Sequence, residues 1–594
     1  MSLTSLWRPA RDEVRASNGI VAAMHPLAVE AGLEMLRKGG NAIDAAVATG
    51  FAISVVEPNN SSIAGVGFLL VHLAADVKQY AAGTDLVVEY GPRAPMAATD
   101  DMYTVTGPGT GISTYETKDR ENTHGYKSIA VPGTAAGLCR AHELMGVLPL
   151  EQVMEPAIQY AVDGFESYWL LTLLTASNAK ELLRYKSCRD IFMPGGLPPG
   201  YLSDPSSADD GANVVRQRDL GDLLKKISRY GAKAMYEGEV AYAIEEDMRK
   251  NGGLITREDL ANRVPEVRTP LRVPYRGYEI HAATAPNGAW TVLQTMNIQE
   301  NFALGSYAHN SPEHLHLFIE SARHAFADRY HYMADPDFVD VPLEGLLAKK
   351  YAAEISRKID MEKALKSLYV DDAPWNYFAA RAIHDPWKYE NRSRPSNPPP
   401  GSSSGDGDCT THFGVVDARG NLVSCTQTAV SSFGSKVVTD GLGILWNNGM
   451  IWFNPKPGFS NSISPWKRPL VNAAPLLVTR GGKGYLSVGS PGGRKVNNAN
   501  ANITVNVLDF GLGPQDAITA SRADASGAKT EIDYRMPSAT VKSLIDKGHD
   551  IQMVPDIEAW YSFARPSAVM IDSDLGIFRS GSDPQSSVPY AAGY

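Results

Sequence analysis

At 594 residues, with 43% hydrophobic and 21% charged side chains, the chain is long enough for two lobes or one large layered domain. Its composition is that of an ordinary globular protein and excludes a disordered or fibrous one. The 56 Lys and Arg against 66 Asp and Glu leave a formal net charge of −10 with no dense basic cluster, which argues against a nucleic-acid partner and for a small-molecule or peptide one.

The start, "MSLTSLWRPARDEVRASNG", lacks a basic segment followed by an apolar one, and no window reaches the ~18 unbroken apolar residues of a membrane span. The expected location is cytoplasmic, without a membrane partner. Cys139, Cys188, Cys409 and Cys425 form no C-x-x-C pair, so neither a disulfide framework nor a zinc ribbon is expected.

From His25 to Val56 the sequence predicts two alanine-rich helices broken at Gly39-Gly40, with Asn41 capping the second. "VGFLLVHLA" and "LVVEYGPRAP" read as strands of a buried sheet, the latter ended by Pro92 and Pro95. "VPGTAAGLCRAHELMG" and "EPAIQYAVDGF" return to helix. Ser311 as cap and Pro312 at the first helical position open an amphipathic helix whose Leu315, Phe318, Ile319, Ala322 and Phe326 share one face. Trp387 to Asp408, "WKYENRSRPSNPPPGSSSGDGD", has almost no apolar content and is the clearest linker. After it come strand–turn–strand units, "HFGVVD", "LVSCTQT", "GILW", "PLLVTR" and "GYLSVG", and then a helix over "NANANITVNVLDFG". Helices with strands first and hairpins with helices later predict a layered α+β arrangement.

The linker ends abruptly on Cys409-Thr410-Thr411 at the lip of a strand. A threonine that becomes a chain's first residue has a built-in base, because an α-amino group with an unperturbed pKa near 7.7 to 8.0 is partly neutral at pH 7. Such a terminus arises when the hydroxyl attacks the preceding carbonyl from a mobile loop and the ester hydrolyses. The competing reading is ordinary β composition. "SVGSPGGRK" places Gly492 and Gly493 where backbone N–H groups could face an oxyanion, or it is simply a tight turn; it does not match G-x-S-x-G. His324, Asp328 and His331 fall at i, i+4 and i+7, a spacing that could face a metal, but without H-E-x-x-H they read as a solvated helix face. "GPGTG", Gly107 to Gly111, lacks the strand-to-helix context of a phosphate loop and reads as a plain loop.

"CTTHFGVVD", "GILWNNGM", "KRPL" and "GSPGG" resemble, in order, the small-subunit motifs of the γ-glutamyltransferase family. "GGNAIDAAVA", "VPGTAAGL", "GLITREDLA…RTPLRVPYRGYEI" and "FADRYHYMADPDF" resemble its large-subunit motifs, so the likeness runs from about Gly19 through nearly the whole chain. The resemblance implies an N-terminal-nucleophile hydrolase: a four-layer αββα sandwich made as a precursor, needing no cofactor or metal. It implies a cut between Cys409 and Thr410 into a large subunit, 1–409, and a small subunit, 410–594, that stay associated. By motif, Thr410 would be the nucleophile, Thr428 would hydrogen-bond it and assist maturation, and Gly492 and Gly493 would form the oxyanion hole of an acyl-enzyme mechanism.

The glutamate-reading positions depart from the family pattern. Gly91 stands where the family has an arginine for the substrate carboxylate, with Arg93 two residues late. Val430 replaces an Asn, Gly449 and Trp452 replace Gln and Asp, and Val471 and Asn472 replace a serine pair. Charged groups desolvated without those partners would cost several kcal/mol, so γ-glutamyl selectivity is expected to be poor. "PNNSSIAGVGF" also departs from the usual glycine run. The expected function is a self-processing amidase or acyltransferase for a smaller or more apolar acyl group, with Trp452 and Val430 lining its pocket and Arg93 as a candidate carboxylate contact. The alternatives are a true glutathione hydrolase, a biosynthetic carbon–carbon bond hydrolase of the same family, and an unprocessed, non-catalytic binding homologue.

Overall fold

The structure, a computed structural model, describes residues 10–109, 115–200, 213–365, 408–527, 529–555 and 562–594. Apart from the backbone of Asp408, the expected linker lies outside these residues.

Two seven-stranded sheets stack face to face. The first runs, in spatial order, Tyr590–Gly593, Gly19–Ala23, Asp408–Asp417, Leu422–Ser431, Val66–His72, Asp85–Tyr90 and Glu266–Arg268. The second runs Val14–Ala16, Ile577–Ser582, Ser567–Asp572, Lys483–Gly489, Leu476–Arg480, Tyr278–Ala282 and Leu271–Tyr275. Every neighbouring pair in both is antiparallel. Both mix strands from either side of Thr410, so chain pieces joined at that point would share each sheet.

Period-two alternation divides the strands between two cores. On Val66–His72, Val66, Phe68 and Leu70 enter the inter-sheet core with Ile20, Val416 and Val569, while Leu69 and Val71 face the helices beside Phe413 and Val415. Helices Pro26–Arg37, Ala42–Val56 and Thr134–Met145 cover the outer face of the first sheet, and Ala289–Gln299 and Lys495–Leu508 that of the second. The result is the αββα sandwich.

Helix Ala42–Val56 starts as expected: the Asn41 side chain accepts from the Ile43 and Asp44 N–H groups, and Asp44 returns a bond to the Asn41 N–H at 3.0 Å. All fifteen of its residues are buried, because helices Pro26–Arg37, Thr134–Met145 and Leu150–Val162 and the first sheet surround it. Its alanines permit that close packing.

Helix Pro312–Tyr332 likewise begins at the Ser311 cap with Pro312 in its first turn, and all five expected core residues are buried. The expected solvated face is not solvated. His324 and Asp328 are fully buried and His331 is half-buried, because Ala289–Gln299 and Ser538–Asp546 pack on the helix as well. Asp328 accepts from the Tyr351 hydroxyl at 2.7 Å and from the Gln294 amide. Among the described residues no group of His, Cys, Asp and Glu is arranged to hold a metal ion, and no helix is long and apolar enough to cross a membrane. The expected loop at Gly107 begins instead as the end of strand Val105–Pro108, paired with Tyr115–Thr117; Thr110 and Gly111 lie outside the described residues.

Candidate active site

Strand Asp408–Asp417 pairs with Leu422–Ser431, but the register slips between Cys409, opposite Val430, and Thr411, opposite Gln427. The partner strand carries one residue more between these pairs, so Thr410 sits opposite a β-bulge formed by Thr428 and Ala429, a device that re-aims a side chain at a strand end. Alternation sets its direction. His412 packs against Gly489 and Gly414 against Ser487 and Val569, all in the second sheet, so Thr410 is on that same inner face. Thr411 faces the helices, where its hydroxyl donates to Glu57 at 2.7 Å.

Thr428 is one of the two bulged residues. Its hydroxyl donates to the carbonyl of Cys409 and accepts the Val430 N–H at 2.7 Å. In the uncut chain Thr428, expected to hydrogen-bond Thr410 and assist maturation, thus bonds the carbonyl of the residue that precedes Thr410. Val430 has a φ of +88°, a left-handed conformation that β-branched residues rarely adopt.

Strand Lys483–Gly489, which packs on Asp408–Asp417, runs into the Gly492-Gly493 turn. Both glycines have positive φ, +135° and +60°, and a Cβ on Gly492 would lie 2.7 Å from the Ala564 Cα. Only glycine fits there. The turn is held from behind by Arg565, whose N–H donates to the Pro491 carbonyl at 3.0 Å and whose buried guanidinium lies 3.9 Å from Asp583.

Val430, Trp452 and Val471 come together with Phe68 and Ile451 in the inter-sheet core. Trp452 is buried and its indole Nε1–H has no hydrogen-bond partner among the described residues. Gly449 backs onto Ala130 and Pro92, and a Cβ there would lie 2.7 Å from the Ala130 methyl, so a longer residue has no room. At Gly91 a Cβ would lie 2.8 Å from the Phe68 ring, which occupies the space an arginine would need. Arg93 does not reach out in its place. Its guanidinium pairs with Glu266, donates to the Trp466 carbonyl at 3.0 Å and stacks on that indole at 5.4 Å. Arg93, Gly91, Phe68, Glu266, Arg468 and Val471 line a cleft of about 20 Å³, room for roughly one water. Arg468 is also engaged, by Asp335 at 2.6 Å and Asp337 at 2.9 Å. Asn472 accepts from the buried Arg329 at 2.6 Å, which orients it. The shortened glycine run keeps Gly65, where a Cβ would lie 2.5 Å from the Thr428 carbonyl, so the backbone can still approach at that point.

Sequence reasoning missed Glu57, Asn447 and Asn448. Asn447 ties Gly449 to Ala64 and Ala130, and Asn448 ties Ser431 to Thr123. The signal was the "NN" before Gly449, read there only as motif.

Burial sets the site's ionisation. It pushes Glu57 up to about 7, with the hydrogen bonds from Thr411 and Asn60 pulling it back, and it pulls His412 down to about 3, so that ring is neutral. His25 and His314 are held at about 3 for the same reason. A histidine with a depressed folded pKa contributes stability that is present above its unfolded value and lost as pH falls towards the folded one. Between pH 7.5 and 5 each of the three gives up roughly 2 kcal/mol, while Glu57, shifted the other way, gains by a similar amount. Three losses outweigh one gain, so the melting temperature is expected to be lower at pH 5 than at 7.5 by differential scanning fluorimetry. An unchanged or higher value would contradict the neutral burial of these rings.

The sequence model described as gamma-glutamyltranspeptidase matches residues 28–592. The chain is 36% identical over 542 residues to the Acylase ACY 1 proenzyme of Pseudomonas sp. (strain V22), covering 91% of this chain and 88% of that one. It is 32% identical over 595 residues to the Glutathione hydrolase proenzyme of Escherichia coli (strain K12), covering 98% and 93%. The crystal structure of cephalosporin acylase from Bacillus halodurans superposes with a TM-score of 0.82 at 27% identity, covering 100% of this chain and 99% of that one. With the sandwich, the bulged strand and these likenesses along its length, the chain belongs to the gamma-glutamyltranspeptidase family of N-terminal-nucleophile hydrolases and is an enzyme of that family.

Proposed function

We propose that this protein is a self-maturing amidohydrolase or acyltransferase that uses Thr410 as its N-terminal nucleophile on an uncharged, largely apolar acyl group. The observation that carries the substrate reading is the gathering of Val430, Trp452, Val471 and Phe68 at positions where a glutamyl group would need polar partners. An α-ammonium or α-carboxylate placed among them would be desolvated without compensation. The nearby guanidiniums do not supply it, since Arg93 and Arg468 are already paired with Glu266, Asp335 and Asp337. A neutral acceptor on the acyl group would satisfy the Trp452 Nε1–H.

Maturation begins when the Thr410 hydroxyl attacks the Cys409 carbonyl. The new C–O bond forms, the C–N bond breaks, and the nitrogen leaves as the α-amine of Thr410. Water then hydrolyses the ester, giving chains 1–409 and 410–594. In turnover the α-amine takes the Thr410 hydroxyl proton as the oxygen attacks the substrate amide, and the Gly492 and Gly493 N–H groups face the oxyanion. The leaving amine takes a proton, and water or another amine accepts the acyl group. Names among the relatives, an acylase and a cephalosporin acylase, agree with amide substrates outside glutathione.

The test is a panel of p-nitroanilides bearing γ-glutamyl, short aliphatic, aryl-acetyl and dicarboxylic monoacyl groups. Turnover by kcat/KM is expected to favour an uncharged apolar acyl group over γ-glutamyl by at least about 10-fold to 100-fold. The ester on Thr410 should be visible by intact mass. A γ-glutamyl preference would return the reading to glutathione hydrolase.

A further inference from the structure

Behind the strand that carries Thr410, on the helix side of the sheet, lies a buried carboxyl that the acyl-transfer scheme does not use. Glu57 closes helix Ala42–Val56, its N–H donating to the Ile53 carbonyl at 2.9 Å. Its side chain turns under the bulge: Oε2 accepts the Thr411 hydroxyl at 2.7 Å and Oε1 accepts the Asn60 amide at 3.2 Å. The residue is 2% exposed. The loop after it is fastened to the partner strand, with the Ala429 N–H donating to the Asn60 carbonyl at 2.8 Å and the Phe433 N–H to the Asn59 carbonyl at 3.2 Å.

The other groups around this carboxyl are uncharged. From the partner strand comes Gln427, bonded to the Gly50 carbonyl, Ser54 and Ser61. Further along the helix face burial holds the Cys425 thiol neutral, and the Tyr90 hydroxyl in contact with it is neutral as well, while the His412 ring, neutral too, lies on the opposite face of the sheet. Asp44 and Asp417 lie at the opposite ends of their helix and strand. Among the described residues no charged group bears on the ionisation of Glu57. Buried acids are ordinarily paired with a cation. In the uncut chain Glu57 has none within that network, whereas the cut between Cys409 and Thr410 creates an ammonium one residue along the strand from Thr411.

We propose that Glu57 is the counter-charge to the α-ammonium of Thr410 in the matured enzyme, a positioning residue that sets how basic the nucleophile's own amine is. This rests on the reading of Thr410 as the N-terminal nucleophile. One strand residue spans about 3.3 Å, so the new amine and the Thr411-bound carboxyl lie close together in a water-poor interior. The carboxylate favours the ammonium and the ammonium favours the carboxylate, and the two titrate as a coupled pair. Because only the neutral amine can take the hydroxyl proton, the pair fixes the acid limb of the activity profile.

The experiment is the pH dependence of kcat/KM, with the best anilide of the panel, for wild type, E57Q and T411V. Ionised Glu57 raises the amine's pKa, so E57Q is expected to move the acid limb down by about half to one pH unit. Well below the wild-type limb, E57Q then runs about 3-fold to 10-fold faster relative to its own plateau. T411V, which removes the hydrogen bond favouring the carboxylate, shifts the limb in the same direction by less. A limb that stays put in both variants, or moves up, overturns the proposal; a purely structural role lowers the plateau or the melting temperature and leaves the limb in place. Should neither variant mature, the wild-type α-amine is titrated by its rate of acylation with an amine-selective reagent, read on the Thr410 peptide by mass. Two coupled ionisations support the pair, and a single one at the ordinary α-amino value overturns it. N-terminal sequencing of the wild-type small chain separates the two claims, because a start other than Thr410 removes the parent reading, whereas a start at Thr410 with an unmoved limb removes only this one.

Discussion

Replacing Thr410 by alanine is expected to leave the chain uncut at its full 64.2 kDa and to lower turnover of the best anilide by about 10³-fold or more. Wild-type protein, by contrast, should resolve on a denaturing gel into chains 1–409 and 410–594 that co-purify under native conditions. The physical reason is that alanine removes the nucleophile and, with it, the base. Without the hydroxyl the Cys409 carbonyl is not attacked, and without the cut there is no free α-amine to act as base. T410S is the control: it keeps an oxygen at the same place opposite the bulge and should mature, more slowly. Co-purification follows from the sheets, since Asp408–Asp417 is flanked by Gly19–Ala23 on one side and the second sheet also contains strands from both sides of Thr410. A wild-type protein that stays at one band through prolonged incubation would falsify the self-cutting reading and favour a non-catalytic homologue.

The features legible in the sequence were those fixed by neighbours along the chain. The Asn41 and Ser311 caps, Pro312 in a first helical turn and the alternation of the strands around Thr410 all follow from residues within a few positions. What escaped was fixed by distant parts of the chain. Helix Pro312–Tyr332 has an amphipathic pattern, yet its polar side is covered, so Asp328 finds Gln294 and Tyr351 instead of water. Arg93 looked available for a carboxylate because Glu266 is far from it in sequence. Glu57 drew no attention as a helix-end acid, and its partner Thr411 lies 354 positions along the chain. The pocket was legible in part. Val430, Trp452 and Val471 were marked as departures one by one, but only the fold shows that they share a core with Phe68, and that Phe68 fills the space beside Gly91.

Thr428 offers the second large effect. In the uncut chain its hydroxyl hydrogen points at the Cys409 carbonyl, whose carbon would become tetrahedral in the proposed self-cutting, while its oxygen takes the N–H of Val430. Charge develops on that carbonyl oxygen as Thr410 attacks, and a fixed buried donor aimed at it is worth about 2.7 to 4 kcal/mol in comparable sites. T428V keeps the volume and removes the donor, so maturation is expected to slow by about 10²-fold to 10³-fold, measured as the loss of the full-length band with time. The substitution also strands the buried Val430 N–H, a cost of about 1 to 3 kcal/mol in the folded precursor. That second effect appears in the melting temperature and can be separated from the first. T428S, which restores both hydrogen bonds but not the methyl group, should recover most of the maturation rate. If T428V matures as fast as wild type, the hydroxyl does not polarise the scissile carbonyl, and its role is to hold Val430 in its left-handed conformation at the rim of the pocket.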